Sequence, residues 1–268
     1  MTINFNRFPG GKTKALTMSY DDGVTQDIRL IEIFNKYGIR GAFHINSGLF
    51  EREGGRPRVP RSELLDVYKG HEISLHGFTH QPLSVTPNTQ IANEVLRDRL
   101  ELEALVGEPV RGMSYPNGSV NDDVVNILEM LGVEYCRKVE TTGGFDLPDN
   151  FLRWQGTTHH NRNLLELGER FINLPVKWRP YLMYVWGHSY EFDDNNNWDL
   201  IEQFCQKMGG RDDIWYATNI EIVDYIKTVR SLKFSADRRV VLNQSMYDVW
   251  VEIDGDAVKI AACGNTKL

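Results

Sequence analysis

The chain is poor in cysteine: Cys136, Cys205 and Cys263 are the three in 268 residues, odd in number and without a repeating spacing. That excludes a disulfide framework and fits reduced, buried thiols. No stretch approaches the roughly 20 apolar residues of a membrane span, and residues 1–7 have no apolar core of signal-peptide length. A cytoplasmic location with no membrane partner is the expectation. Basic runs are missing too, and the net charge is -7, which argues against nucleic acid or an anionic membrane as partner. Hydrophobic residues make up 41% of the chain, enough for one barrel-sized domain with a full core.

What is present is four short polar clusters: Tyr20-Asp21-Asp22-Gly23, His76-Gly77-Phe78-Thr79-His80, Ser114-Tyr115-Pro116-Asn117-Gly118 and Trp186-Gly187-His188. A catalytic metal such as Zn2+ takes about three imidazole or carboxylate ligands and keeps one position open for water. Adjacent carboxylates such as Asp21 and Asp22 repel unless a cation neutralises one, which leaves the other to accept a proton. His76 and His80 share one face of a helical turn but would stand about 13 Å apart along a strand. They can share a metal on a turn or helix, where Gly77 supplies the bend. Alone, an Asp-Asp-Gly reads as a solvated turn, and a His-x-x-x-His occurs on many helices. Their joint occurrence, each after a strand-like run (residues 15–20 and 73–75), points to a metal-dependent hydrolase with its chemistry at the carboxyl ends of strands.

The rest of the sequence alternates strand-like and helix-like segments. Thr25 can cap a helix through Tyr37 closed by Gly38, with Ile28, Ile31 and Phe34 inward, before a strand at residues 41–45. A similar unit spans residues 121–137, and Ile91, Val95, Leu102 and Leu105 mark a longer helix ended by Gly107. Strands follow at 182–186 and 213–216, with helices at 198–208 and 220–229. The series predicts an α/β fold of parallel strands with outer helices. From about residue 231, Val249, Val251 and Ile253 alternate with polar neighbours, and Asp254-Gly255 makes a hairpin turn. Residues 231–268 are therefore read as an antiparallel β extension of the barrel at 1–230. Its role is to cover one end of the barrel or to join subunits in a homo-oligomer.

These motifs resemble the polysaccharide deacetylases of carbohydrate esterase family 4 (CE4), which share the NodB-type domain, over about residues 13–227. The resemblance implies an irregular (β/α)7-type barrel. It assigns Asp21 as base, Asp22, His76 and His80 as metal ligands, and His188 as the acid that protonates the leaving amine. It also makes the Asn117 backbone N–H the oxyanion donor, and places Tyr115, Pro116, Trp154 and Trp186 at the substrate. The family often has Arg where this chain has Ser114. Arg153 is the expected replacement, with Arg111 as the other candidate. The family's Asp that orients the acid is also absent, leaving Glu191, Asp193 or a residue in 146–149 for that task.

Other residues attract less. His71-Glu72 before His76 has one residue too many for a zinc-protease motif. His159-His160 lies in a polar run and reads as a loop lining the cleft rather than a second metal site. His44 reads as structural. The expected reaction is removal of an N-acetyl group from an amino sugar or related carbohydrate by a divalent metal, Zn2+ first, with Co2+ or Ni2+ suited to the same donors. The rivals are an amidohydrolase of small cyclic amides and a silenced carbohydrate-binding relative.

Overall fold

The computed structural model describes residues 1–52 and 54–268. After a two-residue strand, β1 (Ile3–Asn4), the chain enters β2 (Lys14–Asp21), which is buried throughout. A strand with no exposed face belongs in a sheet covered on both sides. α1 (Gln26–Lys36) follows, Gly38 turns the chain with a φ of +66°, and β3 (Gly41–Ile45) returns. Thr25 precedes α1, but its side chain makes no capping bond. Ile28, expected inward, is 37% exposed, because the buried face of α1 is set by Asp27, Leu30, Ile31 and Phe34 and Ile28 falls at its edge.

The alternation continues through α2 (Leu64–Val67), β4 (Glu72–Leu75), α3 (Asn88–Val106), β5 (Gly112–Ser114), α4 (Asp122–Met130) and β6 (Tyr135–Thr141). Gly107 ends α3 in the left-handed region, and Asn121 caps α4 by accepting a hydrogen bond from Val124 N–H. Then come β7 (Trp154–Gly156), β8 (Thr158–His159), α5 (Leu164–Ile172), β9 (Tyr181–Gly187), α6 (Glu191–Asp194), α7 (Trp198–Met208), β10 (Ile214–Tyr216) and α8 (Asn219–Ser231).

The strand order is β7-β6-β5-β4-β3-β2-β9-β8, with β10 beside β2, and every pairing in this sheet is parallel. A single residue, Thr157, separates β7 from β8. Because β7 pairs with β6 and β8 with β9, the sheet returns on itself as a ring of β2, β3, β4, β5, β6, the β7–β8 run and β9. The fold is thus α/β with an irregular parallel barrel. Its topology gathers the carboxyl ends of all these strands at one rim.

Beyond α8 the chain forms β11 (Lys233–Phe234), β12 (Val240–Asn243), β13 (Val249–Ile253), β14 (Asp256–Ile260) and β15 (Gly264–Lys267). They make two antiparallel sheets, β11-β12-β15 and β1-β13-β14. Asp254 and Gly255 turn the β13–β14 hairpin at positive φ. Val241, Val249, Val251 and Ile260 form a second apolar core with Phe8, Tyr225 and Ile226, each burial contributing about 1.5–3 kcal/mol. This extension lies against residues 9–11, just before β2, and so at the end of the barrel away from the rim. All three cysteines are free, but Cys263 is exposed rather than buried, because it sits in the turn before the last strand. Among the described residues no helix is long and apolar enough to cross a membrane.

Candidate metal centre and active site

β2 ends in Asp21, and the chain turns at once: Asp22 has a φ of +82° and donates its N–H to His44 O at 2.9 Å. A non-glycine residue held in the left-handed region is strained and persists where its surroundings demand it. His80, with a φ of +63°, is a second case at the same rim. The two turns bring Asp22 Oδ1 to 3.8 Å from His76 Nε2 and 3.9 Å from His80 Nε2.

Residues without a motif of their own build the loop that carries the histidines. Asp98 on α3 accepts from His76 N–H at 3.0 Å and from Ser47 N–H and Oγ at 2.8 and 2.6 Å. One turn earlier, Glu94 accepts from Thr79 N–H and Oγ1, both at 2.7 Å. Asn46 Nδ2 donates to His76 O and Gly77 O at 2.6 and 2.8 Å. Burial pushes the Asp98 carboxyl up to about 7 despite those donors.

The donors fit a divalent metal. Asp22, His76 and His80 each place a ligand atom within 4.8 Å of the others. His76 Nδ1 lies 3.0 Å from Ser114 O, so its proton belongs there and the lone pair is on Nε2, the nitrogen that faces Asp22. Burial also lowers the His76 pKa to about 4, leaving the ring neutral near pH 7 as a ligand must be.

Beside the triad, Asp21 is almost wholly buried. Ser114 Oγ donates to its Oδ1 at 2.9 Å, and Arg137 Nη2 donates to its Oδ2. Burial alone would push this carboxyl up, but Arg137 first, then His76, His44 and His188, hold it well below the usual carboxylate range. The expectation for Arg153 fails: its guanidinium pairs with Asp122 at the surface. Arg111 is likewise committed, to Glu134 and Asp224. Arg137 takes the place because β6 lies next to β5, where it stands level with Ser114 in the ladder. The signal available in the sequence was an arginine in the middle of a strand-like run, a position hard to reconcile with burial unless a carboxylate meets it.

His188 follows β9, and its Nε2 lies 4.0 Å from Asp21 Oδ2. Of the candidates to orient it, Glu191 makes the contact, at 3.2 Å to Nδ1. Asp193 instead accepts from Trp198 and Gln26, and Asp146 pairs with Arg179. Burial lowers the His188 pKa, but Glu191, Asp21 and Asp22 more than reverse this and raise it.

The aromatic expectations need correction. Trp154 is 1% exposed, enclosed by Tyr135, Phe151 and Tyr184 inside the barrel. Tyr115 is equally buried and donates to Leu152 O, and Pro116 is buried beside Gly77. Trp186 is covered by the Arg137 guanidinium, 4.2 Å above its ring, and by His159. Alternation along β7 and β9 turned Trp154 and Trp186 inward, while Tyr115 and Pro116 are buried in the turn that follows β5. Asn117, exposed and with a φ of +55°, is the member of that segment that faces solvent. Tyr190 is the aromatic beside His188, its ring 5.1 Å away with the Arg56 guanidinium 3.9 Å above it. Its signal was proximity to His188.

A family model described as polysaccharide deacetylase matches residues 9–136, just under half of the chain. Among solved structures the fold is similar to a proposed polysaccharide deacetylase from Mycobacterium smegmatis, at 15% identity and a TM-score of 0.61, over 83% of this chain and 93% of that one. It is also similar to the Xyl-CE4 domain of a multidomain xylanase from the hindgut metagenome of Trinervitermes trinervoides (15% identity, TM-score 0.53, 80% of this chain and 92% of that one). A third likeness is a mutant, with restored enzymatic activity, of a CE4 family pseudoenzyme of Bacillus anthracis (15% identity, TM-score 0.52, 81% and 69%). None of the curated proteins compared with the chain matches it in sequence. The polysaccharide deacetylase family model thus covers the segment that carries Asp21, Asp22, His76 and His80, and the similarity to these solved structures extends the barrel fold over the rest of the domain.

Proposed function

We propose that the chain hydrolyses the N-acetyl group of an amino sugar or related carbohydrate, with a divalent metal held by Asp22, His76 and His80. Zn2+ is the first choice and Co2+ or Ni2+ suit the same donors. When bound, such an ion polarises an acyl carbonyl and makes water a better nucleophile. The carrying observation is convergence: Asp21 Oδ2 lies 3.8 Å from His76 Nε2 and 4.0 Å from His188 Nε2, so ligand, base and acid face one small volume.

The division of labour follows from charge. Asp21, kept ionised by Arg137, takes a proton from the attacking water as the C–O bond forms. His188, whose environment favours the imidazolium, gives a proton from Nε2 to the departing nitrogen as the C–N bond breaks. The products are acetate and a free amine. Asn117 N–H is the proposed donor to the acyl oxygen, and Tyr190 is the aromatic face for a sugar ring.

One fold serves catalysts and pseudoenzymes, so the reading rests on these residues rather than on the barrel. The test is turnover by the metal-reconstituted protein of N-acetylated sugars, O-acetyl esters and cyclic amides, with Asp21→Asn as control. Deacetylation of an amino sugar that Asp21→Asn abolishes is the expected result. Turnover of cyclic amides alone would replace the reading with the amidohydrolase, and no metal-dependent turnover of any class would leave a silenced relative.

A further inference from the structure

Three imidazoles converge on Glu191. Its Oε1 lies 3.2 Å from His188 Nδ1. Its Oε2 lies 3.1 Å from His159 Nε2 and 2.9 Å from His160 Nε2, and accepts from Asn161 Nδ2 at 3.2 Å. The strand register makes this meeting unavoidable: His159 on β8 is level with Trp186 on β9, so residues just past both strand ends face each other. Glu191 N–H then donates back to His188 O at 3.0 Å, which folds the carboxylate into the gap.

We propose that His160 and His159 are positioning residues that clamp one carboxylate oxygen of Glu191, so that the other stays on His188 Nδ1 and the transferable proton of His188 stays on Nε2. The proposal rests on the reading of His188 as the acid. His160 is the firmer half of the clamp. It is fully buried, stacked at 5.6 Å on Tyr20 and 4.2 Å on Phe192. A Cβ at residue 187 would come within 2.1 Å of its Nδ1, so Gly187 is what lets the ring lie there. Burial lowers the His160 pKa to about 4, so the ring is neutral near pH 7. Its contact with Oε2 is close but not collinear, a charge–dipole contact rather than a linear hydrogen bond.

The same groups have the donor types of a cation site, with one atom from each within 4.8 Å of the others. Asn161 decides against that use. Its backbone N–H donates to His159 Nδ1 at 3.3 Å, which puts the proton of the neutral ring on Nε2, facing Glu191, where an ion would need a bare nitrogen.

The electrostatic consequence is specific. Burial would raise the Glu191 carboxyl, yet His159, His160 and His188 hold it well below the usual range, so it is an anion whenever His188 must carry a proton. The other charges near His188 are Asp21, 4.0 Å from Nε2 and itself paired with Arg137, and Asp22. Around it also stand His159, with ring centroids 6.4 Å apart, and Tyr190 under Arg56. Tyr20 also faces Glu191 across His160.

The test is the titration midpoint of His188, read by NMR on the full chain labelled with 13C,15N-histidine. His160→Phe keeps the aromatic stack and removes the N–H, while His160→Gln returns an N–H near Nε2. His160→Phe should lower the His188 midpoint by about half a pH unit or more, and move the alkaline limb of kcat/KM with it. His160→Gln should recover most of that shift, and Glu191→Gln should exceed it. An unmoved midpoint in His160→Phe, or His160→Gln behaving like His160→Phe, would overturn the clamp. So would the loss of one bound metal equivalent in His160→Phe. If His160→Phe does not fold, His159→Ala, at a less buried position, carries the test: a smaller fall in the same direction supports the clamp, and none overturns it. The titration needs no substrate, so it stands or falls separately from the deacetylase reading.

Discussion

The two sides of the site are built differently, as two walls that face each other. The first, from β2 and the loop after β4, supplies Asp21, Asp22, His76 and His80 from two short motifs, with Asp22 and His80 in left-handed backbone. The second draws Arg137 from β6, His159 and His160 from the end of β8, and His188 and Glu191 from the end of β9 and the start of α6. Local chain geometry places the carboxylates and imidazoles of the first wall. Strand register places those of the second, whose groups act mainly by charge on partners across the barrel. The family model ends at Cys136, one residue before Arg137, so it covers the first wall and stops where the second begins.

The contrast can be broken hardest at the triad. Asp22→Ala, His76→Ala or His80→Ala removes one of few donors, so each should lose the metal and turnover together. Metal analysis showing full occupancy in His80→Ala would end the triad assignment. Asp21→Asn, in the same wall, should keep its metal and lose about 100-fold or more in kcat. An unimpaired kcat would mean another base.

On the opposite wall, His188→Ala should keep its metal and lose about 100-fold on an amide, but far less on an aryl acetate, whose phenolate leaves without a proton. Equal losses on both substrates would withdraw the acid assignment.

Arg137 sharpens the comparison further, because it acts on the first wall from the second. Without Arg137 the burial of Asp21 is no longer outweighed, so its pKa rises and the acidic limb of kcat/KM should move to higher pH in Arg137→Met. An unpaired buried carboxylate should also cost about 3 kcal/mol in denaturant unfolding. A wild-type pH profile would refute the assignment. The smallest effect belongs to Arg153→Met, which removes a surface pair with Asp122. It should change stability by less than about 0.5 kcal/mol and leave the pH profile in place.

Much of the fold was legible from periodicity. The helix at 198–208 and the left-handed stop at Gly107 are where apolar spacing and glycine put them. The aromatic residues were misread for the opposite reason. Trp154 and Trp186 adjoin site segments in sequence, but adjacent positions on a strand point to opposite faces, and these point into the core. Glu94 and Asp98, four residues apart on α3, carry no sign of their task, because the backbone N–H groups they receive belong to the loop at 76–80 on a different element.

By itself the sequence determined the parallel α/β class and the chemistry of the motifs: vicinal carboxylates, a bent histidine pair and a later lone histidine. Their nature follows from residue type and short spacing, which the chain carries locally. Tertiary structure decided which cation meets Asp21 and which carboxylate meets His188. Arg111, Arg137 and Arg153 are equally charged, but only Arg137 stands level with Ser114 across the β5–β6 ladder, on the face that looks at Asp21. A one-residue change of register would have turned that guanidinium to the other side of the sheet.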